Sequence, residues 1–181
     1  MVNIIYFVHG TTVDNEEKNA SGWNDAPLSE KGIEQSKNVR NLIDLDEIDC
    51  VFSSDLSRAF DSARNIFEDD KPILQDAKIR ECNYGIYNGK NKENVVYEDH
   101  IDVPFEEGES LQDVEKRVRK FLKYLLEFYD GKTVALVSHR APQLAIEKIV
   151  YNKSWEDVIK SDWRKTKEWK PGWRYKIEKI D

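Results

Sequence analysis

Two apolar runs that each stop at a histidine constrain this chain most. The first is Asn3-Ile4-Ile5-Tyr6-Phe7-Val8, followed by His9-Gly10; the second is Thr133–Val137, followed by Ser138-His139. Runs of β-branched and aromatic residues read as buried strands. A third run, Ile48–Phe52, ends in Ser53-Ser54-Asp55, which are residue types that start helices. Ala59, Ala63, Ile66 and Phe67 then recur at helical spacing, so Arg58 falls in a first turn, where free backbone N–H groups attract anions. Strands alternating with helices predict an α/β chain with a mostly parallel sheet. In such sheets ligands bind beyond the carboxyl ends of the strands, so both histidines and the arginine are expected at one sheet edge.

The remaining segments fit one domain spanning residues 1–181. Ser29 reads as the N-cap of a helix bearing Ile33, Val39, Leu42 and Ile43. Residues 11–27 read as a polar loop. Ile73-Leu74 and Ala77–Ile79 suggest a less regular strand, and Arg80-Glu81-Cys82-Asn83-Tyr84-Gly85 follows it. Glu81 fits either a general acid or a solvated loop carboxylate, and nothing local separates the two. Residues 88–107 read as an irregular, lid-like insertion, with His100 on its surface. Ser110-Leu111-Gln112-Asp113 has the form of a capping box opening the clearest amphipathic helix. Residues 141–150 read as a further helix, with Pro142 in its first turn. The tail carries Trp155, Trp163, Trp169 and Trp173, and residues 173–180 read as an edge strand.

Composition narrows the function. The net charge of −7 argues against a general binder of nucleic acid or of anionic membranes, so any anion site must be local. Cys50 and Cys82 have no paired spacing, which favours a reducing compartment over a disulfide framework. No stretch is long and apolar enough to span a bilayer, and the N-terminus lacks a signal-like pattern; a cytoplasmic protein is the expectation. Exposed aromatic residues in the tail are compatible with a homodimer.

Together the motifs resemble those of the histidine phosphatase, or phosphoglycerate mutase-like, superfamily. Phe7-Val8-His9-Gly10, Ser53-Ser54-Asp55-Leu56-Ser57-Arg58-Ala59, Arg80–Gly85 and Val137-Ser138-His139-Arg140 match its landmarks in order. Gly22, Asp25, Leu28-Ser29, Gly32 and Gln35 match a further landmark, and Gly108-Glu109-Ser110 also fits. The resemblance implies a three-layer α/β/α sandwich and a phosphomonoester hydrolase with a small organic phosphoester as substrate. It implies His9 as nucleophile, forming a phosphohistidine, with Arg58 and His139 contacting the phosphoryl oxygens. Asn15 would add a neutral donor, and Glu81 would protonate the leaving oxygen and then activate water. No metal or other cofactor is implied.

One position departs from the pattern. The family's first motif is Arg-His-Gly, and Val8 stands at the arginine position. A charge-assisted hydrogen bond is worth about 1.5–3 kcal/mol. Its loss would slow turnover by about ten- to a hundredfold or more. Arg140, where the family often has a small residue, either reaches the pocket and replaces part of that charge, or faces solvent or a carboxylate. A less charged substrate, stacked on the aromatic tail or on Trp23, is a second explanation. A phospho-ligand binding module with weakened or no catalysis is a third. Retention of His9, Arg58, Glu81 and His139 together favours catalysis over binding alone. The short segment between Glu81 and Gly108 favours hydrolysis over mutase-type transfer, which needs an enclosing lid.

Overall fold

The structure is a computed structural model that describes residues 1–67 and 70–180. Strand β1 (Val2–Val8) is followed by a single helical turn α1 (Val13–Glu16), a short strand β2 (Asn19–Ala20) and helix α2 (Glu30–Arg40). Next come β3 (Cys50–Ser53), α3 (Ser57–Phe67), β4 (Ile73–Gln75) and β5 (Lys90–Asn91). Helix α4 (Leu111–Phe128), β6 (Thr133–Ser138), α5 (Arg140–Tyr151), α6 (Trp155–Lys160), α7 (Trp163–Thr166) and β7 (Trp173–Ile177) complete the chain.

Five strands form one sheet in the order β4-β3-β6-β1-β7. All neighbours are parallel except β7, which runs antiparallel to β1 at the edge. The alternation of side chains along β1 creates the layers. Val2, Ile4 and Tyr6 face a core shared with α4, α5 and α6, whereas Ile5 and Phe7 face a smaller core with Ala63, Ile66 and Phe67 of α3. The expected three-layer α/β sandwich is what forms. Register places Val8 opposite Ser138, and Ser53 opposite Val137. The ends of β1, β3 and β6 are therefore level, which brings the residues that follow them to one edge.

Some local expectations change. Residues 11–27 are not a plain loop: Thr12 and Asn15 form a capping box that winds α1, and Asn19–Ala20 pairs with Lys90–Asn91. Residues 77–79 form a 3-10 turn rather than strand, capped by the Asp76 side chain. Helix α2 ends at Arg40, so Leu42 and Ile43 lie beyond it. His100 is half-buried, its ring stacked on Phe105 with centroids 3.6 Å apart. The capping box of Ser110 and Asp113 at the start of α4 forms as expected. Both cysteines are free, and burial pushes the Cys50 thiol up to about 11. Among the described residues no helix is long and apolar enough to cross a membrane.

Candidate active site

The turn after β1 is built around close backbone approach. A Cβ on Gly10 would lie 2.3 Å from the Gly32 carbonyl oxygen, and one on Gly32 would lie 1.9 Å from that of Thr11. Only glycine at both positions lets the start of α2 pack against this turn. Gln35 of α2 accepts hydrogen bonds from the Thr11 N–H and hydroxyl at 3.0 and 2.8 Å. The Gly10 N–H donates to the Ser62 hydroxyl, which donates in turn to the Arg58 carbonyl at 2.7 Å. The loop carrying His9 is thereby joined to the helix carrying Arg58.

His9 is half-buried, and its Nδ1 lies 2.7 Å from the Gly10 carbonyl oxygen. A carbonyl can only accept, so Nδ1 carries the proton and Nε2 keeps its lone pair. Burial, reinforced by the charges of Arg58 and Arg164, lowers the His9 pKa from 6.5 to about 3, against the opposing pull of the Gly10 carbonyl. The imidazole is therefore neutral at neutral pH, which is the state a nucleophile requires.

His139 lies next to it, with ring centroids 5.0 Å apart and planes at 60°. Its backbone is fixed by Tyr6, whose hydroxyl donates to the His139 carbonyl and accepts from its N–H. The ring is fully buried, and among the described residues neither nitrogen has a hydrogen-bond partner. Burial, followed by the charge of Arg58, holds its pKa well below the usual histidine range.

Arg58 is almost fully buried, a costly position for a cation. Its Nη1 donates to the Asn24 carbonyl at 3.0 Å and its Nη2 to the Gly22 carbonyl at 2.6 Å. Burial lowers its pKa from the ordinary arginine value, yet a guanidinium stays cationic at any physiological pH. The segment at Gly22 thus aims the guanidinium without neutralising it.

Glu81 is held on every side. Its Oε1 accepts from the Cys82 and Ala141 N–H groups, both at 2.9 Å, and from the Tyr97 hydroxyl at 3.4 Å. Its Oε2 accepts from the Arg140 N–H at 3.1 Å. The Glu81 carbonyl accepts from the Trp23 indole and from Arg117, both at 2.8 Å. Trp23 therefore braces the Glu81 backbone, with the Arg80 guanidinium over its ring, and it does not line the cleft.

These groups border an open cleft of about 730 Å³ that His9, Asn15, Arg58, Glu81 and Arg140 all line. His139 sits behind His9 rather than on the cleft wall. The Asn15 carboxamide oxygen caps α1 by accepting from the Thr12 N–H, which leaves its NH₂ as a donor. The Arg140 Nε donates to Asp162 at 2.7 Å, and its guanidinium lies 4.3 Å from the Tyr97 ring centre. Among the described residues no group of three or more His, Cys, Asp or Glu side chains is arranged to hold a metal ion.

Sequence reasoning missed three residues. Arg117 holds the Glu81 backbone, Asp162 holds Arg140, and Arg164 lines the cleft beside Trp163. None has a local signal. Arg117 reads as an exposed position of an amphipathic helix, and the other two lie in a tail whose return path is set by the antiparallel β7.

The chain is similar to several known proteins. The phosphoserine phosphatase 1 of Hydrogenobacter thermophilus is 29% identical over 157 residues, covering 81% of this chain and 74% of that one. The 2,3-bisphosphoglycerate-dependent phosphoglycerate mutase 2 of Gloeobacter violaceus is 29% identical over 155 residues, covering 77% and 71%. Among solved structures, a putative alpha-ribazole-5'-P phosphatase from Escherichia coli superposes with a TM-score of 0.77 at 25% identity, covering 88% of this chain and 84% of that one. A phosphoserine phosphatase from Entamoeba histolytica, solved with phosphoserine, gives 0.78 at 25% identity, covering 88% and 85%. The sequence pattern of the histidine phosphatase superfamily (branch 1) matches residues 5–168, from the first strand past His139 to the tail, and the chain belongs to that family.

Proposed function

We propose that this chain is a phosphomonoester hydrolase that works through a phosphohistidine at His9. The observation that carries the reading is the 2.7 Å contact between His9 Nδ1 and the Gly10 carbonyl, which leaves Nε2 free to attack. In the first step the Nε2 lone pair forms the P–N bond, and the P–O bond to the leaving group breaks. Glu81 gives its proton to the departing oxygen; Oε2, with a single contact, is the oxygen that carries it. In the second step water attacks phosphorus, Glu81 takes the water proton, and the P–N bond breaks to return a neutral His9.

Arg58 stabilises the phosphoryl oxygens with the donors its two carbonyl contacts leave over. Asn15 adds its NH₂, and His139 donates once an oxygen reaches the buried ring. Arg140 adds positive charge at the cleft wall. The organic part of the substrate lies on the apolar arm of the cleft, where Val39, Leu42 and Trp169 contribute surface. Relatives named as phosphoserine and alpha-ribazole phosphatases support a small monoester as substrate. The cleft is open to water, which favours hydrolysis over transfer to a second position of the substrate.

The test is phosphate release from p-nitrophenyl phosphate in the presence of EDTA. Native protein turns over, and His9→Ala reduces the rate at least a thousandfold. Phosphate binding without turnover would support the binding-module reading. Isomerised product without free phosphate would support a mutase.

A further inference from the structure

Two arginines from different helices, Arg140 and Arg164, line the cleft and share one carboxylate. Asp162 is buried, and its Oδ2 accepts from the Arg140 Nε at 2.7 Å while its Oδ1 accepts from the Arg164 Nη1 at 3.0 Å. One negative charge between two cations leaves the trio with a net charge of +1. The carboxylate also accepts from the Arg164 N–H, which fixes α7 at its first turn. Burial opposes the charge on Asp162, and the Arg164 and Arg140 guanidiniums overcome that, so its carboxyl sits below the usual range.

The two arginines are not equivalent. Arg140 covers the Tyr97 ring on the Glu81 side of the cleft. Arg164 covers the Trp163 ring with its carbon 4.4 Å from the ring centre, and Trp163 stacks on Trp173. The Arg164 Nη2 is buried and, among the described residues, has no hydrogen-bond partner. An unpaired charged donor away from water is costly to keep. In the neutral His139 ring one nitrogen is a donor and the other an acceptor. Among the described residues neither has a partner, so unpaired polar atoms of two different residues lie near His9, with Arg164 on the cleft wall and His139 behind it. The Arg164 charge is felt at both histidines, where it disfavours their cationic forms.

We propose that Arg164 is a second phosphate-binding guanidinium, delivered from α7 to the phosphoryl group that Arg58 holds from α3. This rests on the hydrolase reading above for the identity of the ligand. Nη2 is sealed by its neighbours, so engagement takes a swing of the guanidinium about its Asp162 pair. The phosphoryl oxygens then provide acceptors for Arg164 Nη2 and for His139. A guanidinium suits this task because its planar fork can hold a carboxylate on one side and a phosphoryl oxygen on the other.

The test uses Arg164→Gln, Arg164→Lys and the double variant Arg164→Gln/Val8→Arg in the full chain, each with its thermal midpoint. Val8 also lines the cleft, next to His9, and offers a second position for a guanidinium. Two quantities are read: kcat/KM on p-nitrophenyl phosphate, and the affinity for inorganic phosphate by calorimetry. Arg164→Gln is expected to lower both about tenfold or more while keeping a cooperative melt. The double variant is expected to recover most of the loss in each. Unchanged phosphate affinity in Arg164→Gln would overturn the proposal, as would a loss that Val8→Arg does not recover in a cooperatively folded double variant. If the double variant does not fold, Arg164→Lys decides: partial recovery of phosphate affinity supports the role, and none overturns it. Absent turnover in the native protein would count against the hydrolase reading alone, because the calorimetric arm still reads Arg164.

Discussion

The His9 and His139 rings lie 5.0 Å apart, yet only His9 has a hydrogen-bond partner on its ring. Two imidazoles in contact, beside the Arg58 charge, cannot both gain protons cheaply. The pair is therefore built to stay neutral, and the Gly10 carbonyl sets the tautomer of one member.

That tautomer is directly visible. Nitrogen-15 NMR of the imidazoles should show His9 neutral and protonated on Nδ1 from pH 7.5 down to pH 5. The folded pKa is depressed to about 3, so the neutral form persists well below the usual midpoint near 6.5. A His9 titration centred near 6.5 would contradict the geometry.

Acid stability carries the same signature. His139 is held well below its unfolded pKa by burial and by Arg58. Below about pH 6.5 the unfolded chain binds a proton that the folded chain refuses, so stability falls as pH falls. The contribution is intact above that pH and erodes by up to about 1.4 kcal/mol per pH unit below it. His139→Gln should flatten the pH dependence of the urea midpoint between pH 6.5 and 5. An unchanged slope would argue against a buried neutral ring.

Arg117 holds the backbone of the segment that ends at Glu81, the proposed general acid. Its Nη1 donates to the Lys78 and Arg80 carbonyls, its Nη2 to those of Glu81 and to the Glu109 carboxylate, and its Nε again to Glu109. All five donors of the guanidinium are in use. Arg117→Met should cost about 3 kcal/mol, as expected for breaking a mostly buried pair. It should lower kcat by roughly tenfold through a displaced Glu81. Arg117→Lys, with three donors, should recover little. A kcat unchanged in a folded Arg117→Met protein would separate this scaffold from the chemistry.

The glycine contact beneath His9 predicts a backbone effect. In Gly32→Ala the new Cβ meets the Thr11 carbonyl, which no rotamer change relieves. The variant should lose about 1–3 kcal/mol in denaturant titrations. A neutral result would show that the turn can shift without cost.

The strand ends were the legible part of this chain. β1, β3 and β6 are apolar runs with sharp polar stops, so the sequence alone points His9, Arg58 and His139 to one sheet edge. The capping box of Ser110 was equally clear because it is a local signal. What escaped depends on long-range approach. Trp23 reads as a loop tryptophan but braces the Glu81 carbonyl from 58 residues away. Arg140 stood out because it adjoins His139, whereas Arg164 reaches the same cleft only because β7 turns back antiparallel to β1. The Asp162 carboxylate that joins the two arginines had no pattern in the sequence to announce it.

The most direct test of the account is to trap the intermediate. Native protein mixed with p-nitrophenyl phosphate, quenched in base within milliseconds and digested, should yield the His9 peptide carrying one phosphoryl group by mass spectrometry. Its amount should rise and decay at rates consistent with turnover, and Glu81→Gln should lower the rate at which it forms from the native protein's value. Steady phosphate release with an unmodified His9 peptide at every time point would contradict the phosphohistidine mechanism.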